Sequence, residues 1–209
     1  MIKCERPSHF FILGDSLAAG IGASTYAKSA SGLIAGHVQK AYGTPNLSNF
    51  GISGADAVRI EQNEVRRIGP AACAAVLLIA GANDVQEYHT PGRFERDYAG
   101  LLRAIRKKVP NALVVVTGLP DISLSPRIPP IAKPAIAYLS RHDNAAIARA
   151  AGDAKAAFVD LYPLSETAAR SGRVYLSADH LHPNDDGYAL IAQAVNARMD
   201  REFANAVQK

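Results

Sequence analysis

Four short runs in this chain, residues 9–13, 75–80, 113–117 and 156–160, are apolar almost from end to end. A strand with one face in water would alternate apolar and polar residues, and these do not. Runs of this kind suit a parallel sheet covered on both faces. A fifth, weaker run lies at 46–50. Between the runs stand segments with helical patterning: 29–42, 56–68, 94–109, 132–151, 163–171 and 187–203. Asp56 is placed to cap a helix, and Pro110 and Gly152 mark helix ends. Strand and helix alternate along the whole chain, which predicts a three-layer α/β fold with right-handed crossovers.

Composition agrees and excludes several alternatives. A length of 209 residues, 48% hydrophobic and 20% charged, suits one domain with a single core and fits neither a disordered nor a membrane protein. No apolar run approaches the ~18 residues of a membrane span. The opening MIKCERPSHF lacks the apolar stretch of a secretion signal, so a cytoplasmic location is the expectation, with a secreted or periplasmic one the alternative if a signal has been removed. The net charge of +4 is scattered over helix-like segments, which argues against a nucleic-acid partner. Cys4 and Cys73 have no metal-binding spacing. Cys73 reads as a small buried residue, and the pairing of the two is left open.

One connection is unusual. Residues 118–134, "GLPDISLSPRIPPIAKP", hold five prolines and follow a strand at the sheet's carboxyl end. Ligands of open α/β sheets bind along that edge, so the segment is a candidate pocket wall as well as a stiff surface loop.

The first strand runs into "FFILGDSLAAG". Gly-Asp-Ser after a strand is common turn chemistry and proves little alone. Serine becomes a nucleophile only when a base takes its proton and an acid orients that base. Near the other end, "SADHLHPNDDGY" places Asp179 and His182 three residues apart, close enough to share a face, with Pro183 stiffening the loop. Acyl transfer also needs donors for a developing oxyanion. Asn83 in "LLIAGANDV" and Gly54 in "NFGISGAD" both follow strands, at the same predicted edge as Ser16. Three such features at successive strand ends, with an Asp-His pair after the last strand, exceed what turn chemistry explains.

These motifs together resemble the GDSL, or SGNH, family of serine hydrolases, which includes esterases, lipases, thioesterases and carbohydrate deacetylases. They stand here as Gly14-Asp15-Ser16-Leu17 with Gly20 following, Gly54, Gly81-Ala82-Asn83-Asp84, and Asp179-His180-Leu181-His182-Pro183. The resemblance implies one hydrolase domain over residues 1–209, with a flavodoxin-like, mainly parallel five-stranded sheet between helices. It implies Ser16 as nucleophile, His182 as general base and Asp179 as its orienting acid. The oxyanion hole would use the N–H groups of Ser16 and Gly54 and the amide of Asn83. No cofactor or metal is implied. One departure stands out: family members often carry a small residue where His180 stands.

Three other readings compete. Gly20 and Gly22 half resemble a dinucleotide loop, but the third glycine is missing. Asp179, His180 and His182 have ligand-like spacing, yet no remote cluster completes a metal site; His9, His37, His89 and His142 look isolated. A non-catalytic module on the same fold has no support, since no catalytic position is lost. With only short inserts and no large lid, the expected substrate is a small-molecule ester with a short acyl chain. Acyl thioesters, then sugar O-acetyl esters, follow on the same site.

Overall fold

The computed structural model describes residues 6–71, 73–87 and 90–207; Cys4 and His89 lie outside them. The apolar runs become β1 (His9–Gly14), β3 (Ala74–Ile79), β4 (Leu113–Thr117) and β5 (Ala157–Val159), and the weaker run becomes β2 (Asn46–Asn49). They form one sheet in the order β2-β1-β3-β4-β5, with every pair parallel. This is the flavodoxin-like order, in which the chain reverses direction of growth between β1 and β3. All six residues of β3 are buried. The partly exposed β2 lies at an edge, which explains its weaker apolar signal.

The pleat sorts each strand into two cores. Phe10 and Ile12 join Ala75, Leu77 and Ile79 under α2 (Ala30–Tyr42) and α8 (Asp185–Val207), which add Ile34, Val38, Tyr188 and Val195. Phe11 and Leu13 join Val76 and Leu78 on the other face. There α3 (Ala57–Asn63), α5 (Pro91–Lys108) and α6 (Lys133–Asp153) supply Ile60, Tyr98, Leu101 and Ile147. Complete burial of one such leucine or isoleucine contributes about 1.5–3 kcal/mol, so the doubly covered central strands dominate the stability of the sheet. α7 (Tyr162–Arg170) follows β5.

The elements depart from the sequence reading where side chains intervene. Asp56 does cap α3, accepting the Arg59 N–H at 2.8 Å. That helix stops at Asn63 rather than Ile68, because Glu64 turns inward to accept the Gly14 N–H at 2.8 Å; a 3₁₀ turn at Val65–Arg67 follows. Gly152 does not end α6, which continues to Asp153. Two short helices, α1 (Ser16–Ala19) and α4 (Ala82–Gln86), stand where the sequence showed only strand ends. Cys73 is half-buried just ahead of β3 rather than buried within it. Among the described residues, no helix is long and apolar enough to cross a membrane.

Candidate active site

Ser16 is positioned by a tight exit from β1. Gly14 has φ +140, and a Cβ there would lie 1.9 Å from the Ile79 carbonyl oxygen, so glycine lets β1 and β3 stay paired to their ends. Asp15 then donates its N–H to that same carbonyl and caps α1, with Oδ1 accepting the Leu17 N–H at 2.9 Å. Ser16 becomes the first residue of α1, at the carboxyl edge beside the point where strand order reverses. Only 9% of Ser16 is exposed, which keeps its hydroxyl at the floor of the edge rather than on a free loop.

The segment ahead of α8 brings Asp179 and His182 over this serine. Their spacing is achieved by a turn built on the carboxylate, not by a helix. Asp179 Oδ1 accepts the N–H groups of Leu181 and His182 and the hydroxyl of Ser177, at 2.9, 2.9 and 2.8 Å. Oδ2 lies 2.6 Å from His182 Nδ1, and His182 Nε2 lies 2.9 Å from Ser16 Oγ. Burial works against the charge on Asp179, but these hydrogen bonds, led by that from His182, outweigh it and hold the carboxyl well below its ordinary range. An ionised carboxylate only accepts, so Nδ1 carries the hydrogen and Nε2 is left to accept from the serine hydroxyl. In that arrangement an imidazole can draw off the hydroxyl proton.

His180 takes a different part. Its φ of +58 is left-handed, a backbone state that favours glycine. This is a physical reason for a small residue at that position. Its side chain is exposed, its N–H donates to the Ser177 carbonyl, and its carbonyl accepts the Ser125 hydroxyl at 2.6 Å. Asp179 pairs with His182 and not with His180.

Gly54 and Asn83 stand on the neighbouring connections. Gly54 is exposed with φ +82 and open space around its Cα, and its carbonyl accepts from Arg59. Asn83, in α4, donates from Nδ2 to the Ala55 carbonyl at 3.0 Å, which ties the two connections together. The next residue, Asp84, repeats the tie by accepting the Ala57 N–H at 3.2 Å.

Several contributors carry no motif. Gly22 has φ +95, and a Cβ there would meet the Pro183 oxygen at 2.6 Å and His182 Cβ at 2.9 Å. Only glycine lets the loop after α1 pass so close behind the imidazole. Beneath Ser16 lie two buried acids. Burial, reinforced by the charge of Asp84 and opposed by the Leu17 N–H, pushes the Asp15 carboxyl up to about 7. Burial, reinforced by Asp15 and opposed by the Gly14 N–H, pushes Glu64 up to about 8. Asp15 Oδ2 and Glu64 Oε1 have no hydrogen-bond partner. The only sequence signal for Glu64 is an acid where the pattern asked for the continuing face of a helix.

Among the described residues, the other histidines, His9, His37 and His142, are not isolated. His37 lies 2.8 Å from Asp200, whose carboxylate also accepts the Tyr42 hydroxyl; His9 contacts Ser8, and His142 contacts Asp143. Among the described residues, no group of three or more His, Cys, Asp or Glu is arranged to hold a metal ion.

Comparison with known proteins adds the family. No curated protein matches the chain in sequence. Among solved structures, an extracellular lipase from Streptomyces rimosus is similar, with a TM-score of 0.73 at 20% identity over 91% of this chain and 99% of that one. A lipolytic protein of the G-D-S-L family from Veillonella parvula has a TM-score of 0.71 at 17% identity, over 89% and 94% of the two chains. An acetyl xylan esterase from Geobacillus stearothermophilus has a TM-score of 0.69 at 17% identity, over 92% and 94%. These likenesses show a shared fold. The sequence model of the GDSL-like lipase/acylhydrolase family matches residues 12–190, from the middle of β1 into α8. The chain therefore belongs to that family, and it is an enzyme, a hydrolase of carboxylic esters.

Proposed function

We propose that the protein is a serine esterase working as one hydrolase domain, and that it cleaves short-chain acyl esters through an acyl-enzyme. The observation that carries this reading is the unbroken line of contacts from Asp179 through His182 to Ser16, at 2.6 and 2.9 Å. His182 takes the Ser16 proton as Oγ attacks the ester carbonyl. Asp179 holds the ring in the needed tautomer and stabilises the imidazolium that forms. The negative charge on the former carbonyl oxygen is met by the N–H groups of Ser16 and Gly54 and by the second amide hydrogen of Asn83. His182 then gives its proton to the leaving alcohol, and water repeats the sequence to release the acid.

Short inserts, and a proline-rich loop fastened at Asp121 and Ser125, support an open cleft suited to small acyl groups. Acyl thioesters and sugar O-acetyl esters would use the same nucleophile.

A fluorophosphonate probe, followed by peptide mapping, tests the nucleophile; aryl esters of rising chain length, an acyl-CoA and an acetylated sugar test the substrate. Ser16→Ala and His182→Ala should lose labelling and hydrolysis, while His180→Ala keeps most of its turnover. Label on another serine, or an inactive His180→Ala beside an active His182→Ala, would overturn the assignment.

A further inference from the structure

The carbonyl of His180 is held by a residue from a distant part of the chain. Ser125 is 5% exposed and lies at the end of a 3₁₀ turn, Ile122–Leu124, within the proline-rich connection. Its hydroxyl donates to the His180 carbonyl at 2.6 Å and accepts the Arg127 N–H at 3.2 Å, so both sides of the oxygen are engaged. The base of this strap is anchored. Asp121 Oδ1 accepts the N–H and the hydroxyl of Ser123, its Oδ2 accepts the Tyr162 hydroxyl at 2.9 Å, and its own N–H donates to Ser165. A turn fastened to α7 therefore presents one hydroxyl to one carbonyl.

That carbonyl belongs to a residue that pays a conformational cost. His180 and Lys155 are the two described non-glycine residues with positive φ. The left-handed state at His180 lets the chain curl so that the next two N–H groups reach Asp179 Oδ1. If His180 relaxed, the capped turn would open and Asp179 Oδ2 would lose its alignment with Nδ1 of His182.

We propose that Ser125 is a positioning residue for the Asp179–His182 pair, acting by holding His180 in its left-handed conformation. Its hydroxyl bonds to neither the serine nor the imidazole. The role links the loop after β4 to the acid–base segment, and its kinetic consequence rests on the acyl-transfer reading above.

The test compares the parent, Ser125→Ala and Ser125→Thr, each checked for folding by circular dichroism. Ser125→Ala should lower kcat about ten-fold, within the loss that misplacing a catalytic group causes, with KM changed less than about two-fold. Ser125→Thr, which keeps the hydroxyl, should restore most of the rate. In the His180→Gly background the left-handed state needs less support, so Ser125→Ala should cost no more than about three-fold. A second readout needs no substrate: the downfield proton resonance of His182 Nδ1 should be sharp in the parent and broadened in Ser125→Ala. Failure of the esterase reading would appear as a parent that is unlabelled at Ser16 and hydrolyses nothing, and the resonance would still decide the strap. A parent-like resonance in Ser125→Ala overturns the proposal. So does a rise in KM at unchanged kcat, which would make Ser125 part of the pocket wall.

Discussion

At the residue scale, the site works by giving several side chains two tasks at once. Asp179 builds the turn that carries His182 and also orients its ring. Asn83 fastens the Gly54 connection with one amide hydrogen and has another to offer an oxyanion. Asn83→Ala should therefore lower kcat by roughly 10²–10³, the usual loss for one oxyanion donor, with a much smaller change in KM. Steady-state kinetics on one activated ester checks it; a variant with full kcat would leave Asn83 only its bond to Ala55. The catalytic candidates were legible in the sequence because their chemistry is tied to residue type. Gly22, Ser125 and the backbone of His180 were not. Their roles depend on a close approach or a φ value, and neither leaves a mark on composition or spacing.

At the scale of elements, helices and strands were readable in proportion to their length and burial. The doubly covered β1, β3 and β4 stood out as unbroken apolar runs. Helices α1 and α4, of four and five residues, are too short to show any periodicity. The early end of α3 was hidden because it depends on Glu64 reaching a partner fifty residues away in sequence. That buried acid makes a prediction. The native carboxyls of Glu64 and Asp15 titrate near 8 and 7, above ordinary values of 4.5 and 3.8. Between these limits the native state binds more protons than the unfolded state, so their contribution to stability falls as pH rises from about 4 to about 8. Glu64→Gln keeps an oxygen for the Gly14 N–H and cannot ionise. Its thermal midpoint should vary less across this window than that of the parent, and an equal slope would mean that Glu64 is not the group responsible.

At the scale of the whole molecule, the two cores are back to back on one sheet and share its central strands β1, β3 and β4. Neither has a sheet of its own to keep if the other melts. The chain should therefore unfold as one unit, despite having two separate apolar clusters. Far-UV circular dichroism and tyrosine fluorescence, usable because the chain has eight tyrosines and no tryptophan, should trace coincident denaturation curves. Two separated transitions would show that one face is independently stable. The order of the sheet has a consequence for biosynthesis. Ser16 and His182 are 166 residues apart and meet only after β1, β3 and the segment before α8 have assembled. On the acyl-transfer reading proposed above, Ser16 emerges early in translation and waits without His182 while the intervening strands and helices are made. On the same reading, a nascent or truncated chain lacking the final segment would carry an inert serine, and ester cleavage would begin only with the folded protein.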